Sequence, residues 1–121
     1  MPRATLDPAY IHPAVRALVE GHHAGTVQQA EAAIARHPVV VLGMAQNPWV
    51  RKAQRSLDAA GVGHHDISIG SYFSEWRRRN ALKMWSGWPT FPMVFVKGVL
   101  VGGAQDLDKL IASGELKRLL G

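Results

Sequence analysis

A chain of 121 residues is long enough to bury one core without disulfides or metal, and short for two ordinary domains. With 47% hydrophobic and 19% charged residues its composition is that of a folded globule and excludes a disordered one. The net charge of +5 favours anionic partners without naming one, and the absence of any cysteine excludes a disulfide framework and thiolate metal sites.

No apolar run approaches the ~18 residues of a membrane span. The opening Met1-Pro2-Arg3-Ala4-Thr5-Leu6-Asp7 also lacks the apolar core of a secretory signal. No membrane association and a cytoplasmic location are therefore expected.

Residues 1–25 carry prolines at positions 2, 8 and 13 and a short helical stretch from Ala14 to Glu20 ending at Gly21. They read as an N-terminal extension to a domain over residues 26–121. From Thr26 to His37, Val27, Ala30, Ala33 and Ile34 recur at helical spacing, and Thr26 is the expected cap. His37-Pro38 closes that helix, and Val39-Val40-Val41-Leu42 follows as a central strand covered on both faces.

Asn47-Pro48 opens the next helix, since Asn is a strong N-cap and Pro suits the first turn; Val50, Ala53, Gln54 and Leu57 carry it to Gly61. A second strand is expected from His64 to Ile69, with Ile67 and Ile69 on one face, and a third helix from Ser74 through Trp76, Arg79, Asn80 and Lys83. Met93-Val94-Phe95-Val96 and Val99-Leu100-Val101, joined by Lys97-Gly98, predict an antiparallel hairpin. Leu107, Leu110, Ile111, Leu116, Leu119 and Leu120 supply one or two closing helices, broken near Ser113-Gly114. The class is α/β with a mixed sheet.

This element order carries Lys83, Trp88-Pro89-Thr90-Phe91-Pro92, Val96-Lys97-Gly98, Gly102-Gly103 and Ser113-Gly114-Glu115-Leu116 in sequence. In these residues the chain resembles the glutaredoxin family, its monothiol branch above all, over roughly residues 26–121. The resemblance implies the thioredoxin-like fold, a four-stranded mixed sheet flanked by helices. It also implies a cis peptide bond before Pro92 and a backbone at Phe91 that pairs with the extended peptide of glutathione.

The same alignment lays Asn47-Pro48-Trp49-Val50 over the family's active-site motif, Cys-Pro-Tyr-Cys or Cys-Gly-Phe-Ser. In family enzymes a helix N-terminus favours the thiolate and lowers the thiol pKa. Here Asn47 stands at the nucleophile's position and Val50 at the second thiol's, so no catalytic residue is assigned. Asn47 is expected to cap its helix instead. Disulfide exchange by the family's route lacks an attacking group, and the family's shared iron–sulfur cluster, ligated by that cysteine, is not expected.

A groove for glutathione or a peptide is expected among Asn47, Trp49, Arg79, Thr90, Phe91, Pro92, Gly103, Ala104, Gln105 and Asp106. The resemblance gives Arg79 the role of holding the ligand's glycine carboxylate and puts Met44 at the dithiol branch's lysine position. The helix opening after Gly103 offers N–H groups to a second carboxylate. The expected function is a redox-inactive binding or adaptor domain, in which an exposed Trp49 would meet a protein partner. The alternatives are an oxidoreductase that uses the thiol of bound glutathione, and a basic module for anions or nucleic acid. Arg77-Arg78-Arg79 fan around a helix by about 100° each, which argues against a nucleic-acid face. The pairs His22-His23 and His64-His65 do not converge, so no metal site is expected.

Overall fold

Val39 to Leu42 have no polar side chain to turn toward water, so a strand made of them is covered on both faces. In the computed structural model, which describes residues 3–21, 23–71 and 73–121, they open β1 (Val39–Gly43), every residue of which is buried. β2 (His65–Ser68) lies parallel to β1 on one side; β3 (Met93–Val96) lies antiparallel on the other and pairs with β4 (Val99–Gly102). The order β2-β1-β3-β4 is the expected four-stranded mixed sheet. Lys97 and Gly98 close the hairpin with φ of +50° and +81°, the left-handed pair that matches strand twist in a two-residue turn.

Alternation along β1 divides the core in two. On one face Val40 and Leu42 pack with Ala30, Ala33, Leu82, Met44, Met93 and Phe95, beneath α2 (Ala24–Arg36) and α4 (Trp76–Ser86). On the other, Val39 and Val41 pack with Ala53, Leu57, Leu107 and Leu116, beneath α3 (Pro48–Ala59), α5 (Ala104–Ala112) and α6 (Glu115–Leu120). Met44 and Met93 are thus core sulfurs, whereas Met84, on α4, is 56% exposed. Among the described residues no helix is long and apolar enough to cross a membrane.

Two helix starts differ from the sequence expectation. Thr26 does not cap α2, which begins at Ala24; Thr26 is buried within it, and its Oγ1 accepts a hydrogen bond from Arg78 Nε of α4 at 2.9 Å. Ser74 does not open α4 either. Its Oγ accepts from Ser71 N–H in a tight turn, and the helix starts two residues later, after Glu75 takes φ +61°. In both cases a polar side chain that would serve as a cap is drawn into a different contact.

The N-terminal segment folds back on the domain. A 3-10 turn (Pro8–Tyr10) leads into α1 (Pro13–Gly21), and Arg16 ties them by donating to Pro8 O and Ile11 O. Arg3 donates to Met84 O at 2.8 Å, supplying a partner to the last turn of α4, where backbone carbonyls lack intrahelical donors.

Candidate functional site

β1 delivers the chain to the site through Gly43. A Cβ at Gly43 would meet Val50 Cγ1 at 2.7 Å, so the absent side chain is what lets the first turn of α3 sit against the strand. Asn47 precedes that turn in extended conformation, and its Oδ1 accepts from Trp49 N–H at 2.9 Å and Val50 N–H at 3.2 Å. Pro48, the residue between, has no N–H to satisfy. The first turn of α3 is therefore closed by the chain's own neutral amide, as expected for Asn47, which is only 7% exposed.

Beside this helix end, the segment before β3 and the start of α5 enclose a groove of about 250 Å³. It is lined by Trp49, Trp88, Thr90, Phe91, Pro92, Gly103, Ala104, Gln105 and Asp106, and the Phe91–Pro92 bond is cis. Except for Asn47 and Arg79, every residue expected at the site lines it. Trp88 was absent from that expectation although it belongs to the same Trp-Pro segment; its indole N–H is buried without an acceptor.

Asp106 performs a local task. Its Oδ2 accepts from Gly103 N–H at 3.0 Å, so the carboxylate folds back over the start of its own helix. Gly102, at φ +110°, makes room: a Cβ there would lie 2.6 Å from that oxygen. The N–H of Gly103 is thereby occupied, and the donors expected for a ligand carboxylate are those that follow it. The N–H groups of Ala104 and Gln105, in the first turn of α5, have no acceptor within the helix.

Arg79 does not enter the groove. It is 7% exposed, and its Nη1 donates to Ile69 O at 3.0 Å and Ser74 O at 2.6 Å, fastening the turn that leads into α4. Arg77 lies over the Trp76 ring at 5.2 Å, and Arg78 reaches Thr26 and Glu75. The three arginines serve three surroundings, as their helical spacing requires.

Two larger hollows, of about 620 and 610 Å³, lie at the opposite end of the sheet around His37, Pro38 and Lys97, and hold no residue of the Asn47 motif or the Trp88–Pro92 segment. There His64 is held between two carboxylates, Asp58 Oδ1 at 2.8 Å from Nε2 and Asp66 Oδ1 at 2.7 Å from Nδ1. Burial of the ring disfavours its charged form, but the hydrogen bonds and charges of Asp58 and Asp66 outweigh this and raise its pKa above the ordinary 6.5. His65 stacks instead on His37, ring centroids 4.1 Å apart. Among the described residues no three His, Asp or Glu side chains converge as metal ligands; His22 lies outside those residues.

Comparison with known proteins fits this geometry. A family model described as Glutaredoxin matches residues 39–101. A glutaredoxin-like protein of Dictyostelium discoideum is 41% identical over 98 residues, 81% of this chain and 80% of that one. A probable monothiol glutaredoxin 2 of Rickettsia felis is 41% identical over 64 residues, 53% of this chain and 59% of the relative. Among solved structures, mutated buckwheat glutaredoxin superposes with a TM-score of 0.74 at 23% identity, covering 84% of this chain and 92% of that one. A buckwheat glutaredoxin–glutathione complex superposes with a TM-score of 0.72 at 23% identity, with the same coverage. The chain belongs to the glutaredoxin family, and it does so without a single cysteine.

Proposed function

We propose that this protein binds glutathione or a glutathione-like peptide in the groove between α3, the Phe91–Pro92 segment and α5, and does not turn it over. The observation that carries this reading is Asn47, whose carboxamide oxygen closes the first turn of α3 where the family's resemblance puts a nucleophilic thiol. An amide is a poor nucleophile, and no other residue of the chain supplies a thiol. The groove itself supports retention of a ligand. At about 250 Å³ it is smaller than the ~300–1,000 Å³ cleft that encloses a compact ligand, which suits an extended peptide lying across it.

In this reading the ligand's backbone runs beside Thr90 and Phe91, and a carboxylate meets the free N–H groups of Ala104 and Gln105. Arg79 plays no part, being committed to Ile69 and Ser74. The family's iron–sulfur cluster does not fit these residues: a soft thiolate is needed at position 47, and the amide there is already bonded to Trp49 and Val50.

Calorimetric titration with reduced glutathione tests the proposal. Saturable binding is expected, weakened by Gln105→Glu, which sets a carboxylate at the mouth of the groove. No glutathione-dependent reduction of a small mixed disulfide above the uncatalysed rate is expected. Absence of binding at millimolar ligand would overturn the reading, and catalysed reduction would replace it with an enzyme that uses the ligand's own thiol.

A further inference from the structure

We infer that the groove is suited to glutathione whose sulfur is already substituted, as a thioether carrying an apolar or aromatic S-substituent that packs on Trp49. The inference rests on the proposed glutathione-binding role and names the ligand class for that site.

The sulfur end of the groove is the decisive region. A helix N-terminus with unpaired N–H groups stabilises a sulfur anion and so rewards a free thiol for ionising. Here Trp49 N–H and Val50 N–H both donate to Asn47 Oδ1, at 2.9 and 3.2 Å, and Pro48 has no N–H. The free thiol of a ligand at this end meets a helix already closed by a neutral group, so ionisation gains nothing from these N–H groups. A sulfur bearing carbon on both sides asks for no such stabilisation.

The second observation is the wall beside it. Trp49 is 48% exposed although it lines the groove, and its backbone N–H is one of the two held by Asn47, which roots the residue next to the sulfur end. Lys52 Nζ lies 5.3 Å from the ring centroid and steadies the indole from outside. An exposed indole gains when an apolar group covers it, and an aromatic partner adds a stacking preference. Reduced glutathione has only a hydrogen on sulfur and leaves Trp49 uncovered; an S-benzyl group reaches it. The carboxylate of Asp106, also on the groove, is engaged with Gly103 N–H and belongs to α5.

The test compares reduced glutathione, S-methylglutathione and S-benzylglutathione by calorimetry on the intact protein. S-benzylglutathione is expected to bind about fivefold tighter than reduced glutathione at pH 7. Trp49→Ala should bring it down to the S-methyl value, while Trp49→Phe keeps most of the preference. Affinity for reduced glutathione should not rise at pH 9, above the ordinary thiol pKa of about 8.5. If reduced glutathione binds as tightly as the S-benzyl conjugate, or gains affinity at pH 9, the inference fails and the groove reading stands. A preference that survives Trp49→Ala would also overturn it, and if none of the three ligands binds, both fall.

Discussion

The two ends of α3 are fixed by polar side chains of opposite character. At its start, Asn47 holds two backbone N–H groups with an uncharged oxygen, buried from solvent. Near its end, Asp58 bonds to His64, which Asp66 of β2 grips from the other side, in contacts that depend on a proton. The first end is insensitive to pH, whereas the second depends on a His64 pKa that its two carboxylates raise above 6.5. A helix whose start usually serves thiol chemistry is here stabilised at that start by a group with nothing to ionise.

The largest effect is expected from closing the space that the first end needs. Gly43→Ala puts a methyl group 2.7 Å from Val50 Cγ1 and 3.1 Å from Cγ2, so turning the valine does not clear it. A loss of about 2 kcal/mol in urea unfolding is expected, within the ~1–3 kcal/mol typical of overpacked cores.

Removing the cap tests the neutral end directly. Asn47→Ala should cost about 1 kcal/mol, the usual penalty for a lost N-cap, and the cost should be the same at pH 6 and pH 8. A pH-dependent cost would break the contrast. Asn47→Cys sharpens it: with the first-turn N–H groups released, the new thiol should titrate below the ordinary 8.5, read from the pH dependence of its alkylation rate.

The smallest effect belongs to the charged end. The His64 pKa is raised in the folded protein, so the charged clamp contributes its full stability below about pH 6.5 and loses it as pH rises through the higher folded value. His64→Gln should therefore lower stability at pH 6 by up to about 1 kcal/mol, the scale of partly exposed ion pairs, and by less at pH 8.5. Parallel unfolding curves at the two pH values decide this; an equal gap at both would remove the clamp from the account.

What could be read from the sequence was whatever depends on neighbours along the chain. β1 was legible because four apolar residues in a row exclude solvent on both faces, and the hairpin because Lys97-Gly98 separates two apolar runs. Asn47 was legible as a cap because Asn-Pro is a local signal. Thr26 and Arg79 were not, because packing sets their partners, Arg78 of α4 for Thr26 and the carbonyls of Ile69 and Ser74 for Arg79; Ser74 was not because a local turn with Ser71 competes with the helix start. Arg79 is instructive, since its place in the sequence matches a ligand-binding arginine while carbonyl oxygens inside the molecule claim its guanidinium. Trp88 was passed over for the opposite reason. Its segment supplied Thr90, Phe91 and Pro92 to the expected groove, and nothing in the order of the chain says that the Trp88 indole joins them in the lining.

Met84 gives the absence of cysteine a practical meaning. The chain's sulfur resides in four methionines; of those described, Met44 and Met93 are buried and Met84 stands 56% exposed on α4. Oxidation follows exposure, so of the three described methionines peroxide would strike Met84 first, while the groove has no sulfur among its lining residues to be damaged. Under oxidative stress of the kind that carries a thiol to sulfinic acid, the lining of this groove has no sulfur to convert.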